Sequence, residues 1–128
     1  MPDTVLSPDG HPPDPVPERL TRRSDFLRAA RGVKEVTPGF VLQGRDRRDG
    51  SDAIRVGFTC SKKVGNAVAR NRAKRRLREI ARLDLPRVGR PGWDYVLIGR
   101  KDTTARRAFH ALRADFAAAA GRLHEAAG

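Results

Sequence analysis

Apolar residues recur at helical spacing in three stretches of this chain and alternate with polar residues in another. Leu20, Phe26, Leu27 and Ala30 supply the apolar side of a first short helix, S-D-F-L-R-A-A, with Ser24 placed to cap it and Gly32 to stop it. V-K-E-V, a T-P-G turn and F-V-L-Q follow between Val33 and Gln43. The polar, glycine-containing stretch from Arg45 to Asp52 reads as a hairpin connection. Beyond it, Ile54, Val56, Phe58 and Cys60 alternate with Arg55, Gly57 and Thr59, which is the period of a half-buried strand. Ala69, Ala73, Leu77 and Ile80 fall on one side of a helix expected from about Ala67 to Leu83. Pro86, Pro91 and Gly92 are expected to break the chain before W-D-Y-V-L-I-G, a short apolar strand suited to the centre of a sheet. A last helix is expected from Thr103 to about Leu123, with Phe109, Leu112, Phe116 and Leu123 on one side. The order helix, strands, helix, strand, helix predicts an α+β domain with helices against a mixed sheet. No internal repeat is present.

Charge changes this picture more than composition does. The net charge is +12, and nine of the 27 Lys and Arg residues lie between Lys62 and Arg82, with Glu79 the only acid among them. A compact fold with that charge repels itself unless a polyanion neutralises it. On the expected helix, Asn71, Lys74, Arg75, Arg78 and Arg82 lie opposite the apolar stripe, and Arg70, Arg72 and Arg76 flank it. Arginine predominates over lysine, and its planar fork suits bidentate phosphate contacts and stacking on bases. Alanines at 69 and 73 let the helix approach the sheet closely. Before the helix, Gly65 permits a tight turn and Asn66 is placed to cap. The spacing of a nucleotide-binding P-loop is absent. A membrane surface is the weaker partner: no apolar run approaches the roughly 18 residues of a spanning helix, and no basic amphipathic helix carries Trp or Phe on its apolar side.

The ends and the single thiol add little. Residues 1–17 hold six of the nine prolines, three aspartates and no Lys or Arg, which predicts a disordered acidic leader and a passive tail. The start has neither a basic nor an apolar segment, so no secretory signal is expected. Cys60 is the only cysteine, which fits a reducing, cytoplasmic setting and a small buried hydrophobe. A protein nuclease needs metal-binding carboxylates or a histidine base. His11 lies in the leader, while His110 and His124 lie far in sequence from the basic run. Asp46, Asp49 and Asp52 suit turn formation, and Asp94 suits ordering a strand start. No catalytic residue and no protein metal ligand is expected.

The run from Arg55 to Glu79, containing S-K-K-V-G-N-A-V-A-R-N-R, closely resembles the signature of the bacterial ribonuclease P protein subunit. Its core here is Arg70-Asn71-Arg72. Upstream, R-L-x-x-x-x-D-F from Arg19 to Phe26 is similar to the family's opening, and the segment from Asp94 to Arg100 resembles its D-Y-x-x-x-x-R strand. The similarity spans roughly residues 18–122. It implies one domain over 18–124 with a tail at 125–128. It also implies an αβββαβα two-layer sandwich similar to ribosomal protein S5 domain 2. A left-handed βαβ crossover would join the strand ending at Cys60 to the one starting at Trp93, against the right-handed default.

The resemblance further implies that chemistry belongs to a catalytic RNA, which removes the 5′ leader of precursor tRNA with Mg²⁺ bound mainly by that RNA. Carried over, Arg70, Asn71, Arg72, Lys74, Arg75 and Arg78 would face the RNA, joined by Lys62 and Lys63. Phe26 and Phe40 would line a cleft for the leader. Family members often carry aromatics at the positions of Ala30 and Gln43, so leader grip here would lean on charge. The alternative is a structural, ribosomal-type RNA-binding protein on the same scaffold. A DNA-binding helix fits less well, because no helix-turn-helix pairing is present and so uniform a charge reads phosphates better than base edges.

Overall fold

The computed structural model describes residues 16–128. The expected leader falls outside the described residues, apart from Val16 and Pro17. In chain order the elements are β1 (Glu18–Arg19), α1 (Arg23–Ala30), β2 (Val33–Val36), β3 (Phe40–Asp46), β4 (Arg55–Thr59), a 3-10 turn (Lys62–Val64), α2 (Ala67–Val88), β5 (Trp93–Gly99), α3 (Thr103–Arg106) and α4 (Phe109–Ala127). The five strands form one mixed sheet in the order β1-β4-β5-β3-β2. The class is therefore α+β, as the pattern of elements predicts.

β5 is central because it is apolar on both faces. Tyr95 and Leu97 join the main core beneath α2 and α4, while Val96 joins a smaller cluster beneath α1 with Leu20 and Ala29. Alternate residues of a strand point to opposite faces, so α1 lies across the sheet from α2 and α4. The main core is built from Leu77, Ile80 and Leu85 of α2, Leu112, Phe116 and Leu123 of α4, and Phe40 and Leu42 of β3, all fully buried.

The segment 45–52 is not a hairpin connection. β3 and β4 do not pair with each other: β5 lies between them, antiparallel to β3 and parallel to β4. A polar loop between two strands has the same local pattern whether those strands pair or are separated by a third. Here the loop passes the start of β5, and Arg47 fixes it there. Its guanidinium donates to Trp93 O at 3.0 Å, Asp94 Oδ1 at 2.9 Å and Ala53 O at 2.7 Å. The true hairpin joins β2 to β3, with Val36 opposite Val41. Thr37 Oγ1 closes it, donating to Phe40 O at 2.6 Å and accepting from the N–H groups of Phe40 and Gly39.

Three helix ends differ from expectation. Ser24 lies inside α1, which begins from an extended Arg22 with no side-chain cap. α2 continues through Pro86 to Val88. Proline there removes a single N–H near the helix end, while buried Asp84 and Leu85 hold the last turns on the core. The final helix is split at Arg107 and Ala108, both extended, into α3 and α4, and α4 runs on to Ala127. The split places α3 against the middle of α2.

Candidate nucleic-acid interface

α2 carries the site because one stripe of it is pinned down. Ala73, Leu77, Ile80, Ala81 and Leu85 are buried, and the small Ala73 lets the helix lie close to Gly99 at the end of β5. Asn66 caps the helix, its Oδ1 accepting from Ala69 N–H at 2.9 Å. Gly65, at φ +142°, makes the turn that delivers the chain from the 3-10 turn into the helix. The remaining arc then faces solvent. Asn71, Arg72, Arg75 and Arg78 are exposed, and Arg70 and Lys74 are half-buried. Lys63 is exposed in the 3-10 turn; Lys62 opens that turn, and its side chain lies outside the described residues.

The electrostatics of this arc contrast with the rest of the protein. Among the described residues, Arg70, Arg72, Lys74, Arg75 and Arg78 form no ion pair. The buried acids are engaged by other arginines. Asp94, fully buried, accepts two bonds of 2.7 Å from Arg55 and one from Arg47. Asp84 accepts from Arg113 and Arg87, and the Arg113 hydrogen bond holds its carboxyl below the usual carboxylate range. Asp115 takes both ends of Arg107. Glu79 pairs with Arg82 at the far end of the arc. The result is a strip of cations that, among the described residues, have no ion-paired counter-charge.

Not every arginine on α2 is free to meet a ligand. Arg76 is half-buried and donates to Thr104 O at 2.8 Å and Arg107 O at 2.6 Å, with its guanidinium 5.9 Å from the Phe109 ring. Burial and then the charge of Arg72 lower its pKa. Arg72 adds a bond from Nε to Ala105 O at 3.0 Å. Together they satisfy carbonyls at the end of α3 and strap it to α2. Arg70 is anchored more lightly, through one bond to Gly65 O at 3.1 Å. Arg106, on α3, lines the same groove as Asn66 and Arg72. It lies far along the chain from the basic run, so helical spacing within α2 gave no sign of it.

The two aromatics expected at the cleft part company. Phe26 is half-buried on α1, its ring lying over Gly57 of β4, where an added Cβ would approach it to 2.5 Å. Phe40 is not a cleft residue. It is fully buried on the opposite face, 6.2 Å from the Phe116 ring, because the pairing of β2 with β3 turns Phe40, Leu42 and Gly44 toward α4. Their neighbours Val41 and Gln43 are half-buried and face the α1 side instead. Gln43 and the exposed Ala30, at the end of α1, offer that side no ring.

Residues for bond-breaking chemistry do not converge. Among the described residues no group of three His, Cys, Asp or Glu side chains is placed to hold a metal ion. The buried acids are already saturated by guanidinium groups, so they do not fit a protein-bound Mg²⁺. His124 is buried against Trp93 and Tyr95 on the core side of the sheet. Burial pushes the Cys60 thiol up despite the nearby charges of Lys74 and Arg70. Among the described residues no helix is long and apolar enough to cross a membrane.

The ribonuclease P family model matches residues 15–124, which carry this sheet and the cation strip of its crossover helix. The chain belongs to the ribonuclease P protein family. Membership makes it the protein component of a holoenzyme that is a tRNA 5′-processing endoribonuclease. The ribonuclease P protein component of Ruegeria pomeroyi is 61% identical over 106 residues, which cover 82% of this chain and 85% of that protein. That of Gluconacetobacter diazotrophicus is 53% identical over 98 residues, covering 76% and 83%. Among solved structures, the RNase P protein from Thermotoga maritima has a TM-score of 0.69 at 34% identity, covering 82% of this chain and 96% of that one.

Proposed function

We propose that this ribonuclease P protein grips RNA through α2 and leaves the chemistry to its RNA partner. The unpaired cations of α2, with Asn71, Lys63 and Arg106, bind the catalytic RNA. The side of the sheet under α1, with Phe26, receives the 5′ leader of precursor tRNA. Mg²⁺ is held by the RNA, and the complex works in the cytoplasm. The observation that carries this reading is the charge segregation: the buried carboxylates, Asp84 at the far end of α2 included, are neutralised by other arginines, while five cations of α2 keep no acidic partner among the described residues. Such a surface lowers its own repulsion by taking up phosphates. It supplies grip and position, which are worth much to a reaction whose bond-breaking groups lie elsewhere.

Reconstitution tests it. The purified protein alone is expected to leave precursor tRNA intact, and to restore cleavage by the matching catalytic RNA at Mg²⁺ concentrations where that RNA alone is slow. Failure to restore cleavage sinks the proposal. RNA co-purifying with the protein distinguishes the structural alternative, which predicts ribosomal RNA.

A further inference from the structure

The cationic surface of α2 continues past the helix. Between α2 and the β1–β4 edge of the sheet lies an open groove of about 270 Å³. Its floor is apolar: Val56 of β4 and Ala81 of α2 line it and are each 3% exposed. One wall is the half-buried ring of Phe58 with the guanidinium of Arg19 5.1 Å from its centroid. The other wall is Arg78 and Arg82 of α2, and among the described residues no carboxylate lines the groove.

Arg19 is held there by its neighbours. Glu18 N–H donates to Ile54 O at 2.8 Å and Leu20 N–H to Val56 O at 2.9 Å, so the residue between them is fixed on the sheet edge. Leu20 is buried in the small cluster, whereas Arg19 is exposed and forms no ion pair among the described residues. Neither the core nor the ion-pair network of the sheet uses the Arg19 side chain.

We propose that this groove seats one unstacked nucleotide of a single-stranded RNA segment. The base lies against the Phe58–Arg19 wall, and its flanking phosphates meet Arg78 and Arg82. The inference rests on the RNA-binding reading of α2 and extends it to a defined pocket. A flat apolar surface beside three guanidinium groups matches a ligand that is itself a flat ring between two anions, and base stacking on aromatic and guanidinium planes is how unpaired RNA is held. The volume lies just under the roughly 300 Å³ at which drug-sized pockets begin, room for a single base and not for a duplex. Continuity sets the direction of approach. Arg78 stands one helical turn beyond Lys74 and Arg75, so a strand lying on α2 arrives at the groove. Among the described residues Arg82 pairs only with Glu79, at the surface, a pairing weak enough to exchange for phosphate.

The chemistry fits an unpaired nucleotide of the catalytic RNA or of the precursor leader, and the experiment separates the two. In the reconstituted holoenzyme, 4-thiouridine is placed in one RNA or the other, irradiated, and the cross-linked peptides are mapped. The expected result is a cross-link to the peptides holding Phe58 or Pro17 from one of the two RNAs, which names the source. Phe58→Leu keeps the groove apolar; with its melting temperature retained, it is expected to weaken binding of that RNA by about fivefold or more, the least that stacking on one aromatic is worth. Arg19→Gln, on the surface, is expected to act in the same direction and decides the matter if Phe58→Leu does not fold. No groove cross-link from either RNA, or a folded Phe58→Leu that binds both as the parent does, overturns the proposal. A variant with Lys74, Arg75 and Arg78 changed to Gln separates the two readings. If it binds weakly while Phe58→Leu does not, the groove falls and the helix face stands; if it too binds as the parent, both fall.

Discussion

Changing Lys74, Arg75 and Arg78 together to Gln tests the physical core of the RNA-binding assignment. Arg75 and Arg78 are exposed and Lys74 half-buried, and none makes a side-chain hydrogen bond or ion pair among the described residues. Each cation that meets a phosphate contributes about 0.7–0.9 to the slope of log affinity against log salt. Three lost contacts therefore flatten the slope by roughly 2.1–2.7. Over a fourfold rise from about 50 to 200 mM salt, the parent loses about 20–40-fold more affinity than the variant does. Stability moves the other way. Lys74 stands one turn from both Arg70 and Arg78, and relieving like-charge pairs at that spacing returns about 0.2–0.5 kcal/mol each. The assay is a salt titration of binding to the matching catalytic RNA, alongside thermal melting. An unchanged slope would show that these cations do not touch phosphate. A collapse of the melting temperature would show that they hold the protein together, and the reasoning would fail either way.

Arg75 and Arg76 are neighbours with opposite jobs: Arg76→Met is expected to cost about 2 kcal/mol by removing charged hydrogen bonds to Thr104 O and Arg107 O, whereas Arg75→Met leaves the melting temperature unchanged and weakens RNA binding. Equal effects of the two on melting would refute the assignment. Asp94→Asn removes the buried carboxylate shared by Arg47, Arg45 and Arg55 and leaves the Arg47 guanidinium only the exposed Asp49, and breaking such a buried pair costs about 3–5 kcal/mol, read as a fall in melting temperature on the order of 10 °C or more; a fall of a degree or two contradicts it. Burial, and then the charge of Arg90, lower the pKa of His124 below its ordinary value of 6.5. The unfolded chain therefore takes up this proton first as pH falls, so the contribution of His124 is fully present above about pH 6.5 and declines below it. Melting curves of the parent and of His124→Gln between pH 7.5 and 5 are expected to show this dependence only in the parent.

The His124 environment also shows how far tertiary structure redirects a residue. Arg90 N–H donates to the Tyr95 oxygen at 2.8 Å, leaving the hydroxyl proton available to His124 Nε2 at 2.7 Å. Burial raises the Tyr95 phenol to about 12. A histidine that looks idle near the end of the chain is thus a core residue, tied through β5 to the loop after α2. Spacing along the chain contains no trace of that link, which exists only because α4 folds back over the sheet.

Local pattern by itself determined most of the elements and the chemistry of the interface, though not β1 or the break between α3 and α4. The alternation from Ile54 onward, the apolar run of β5, and the stripe Ala73, Leu77, Ile80 each follow from side-chain periodicity, which a short window of residues carries completely. The concentration of arginine on α2 is likewise readable before folding, as is its Asn66 cap. Partnership is what the linear pattern lacks. Only the sheet order decided that β5 separates β3 from β4 and that Phe40 turns toward Phe116 and away from the cleft. Only the docking of α3 decided that Arg76 serves as a strap while Arg75 stays free. Sequence periodicity assigns a residue to a face; which residue lies across that face is settled by long-range pairing, where the burial of apolar surface on both sides of one central strand outweighs any local turn preference.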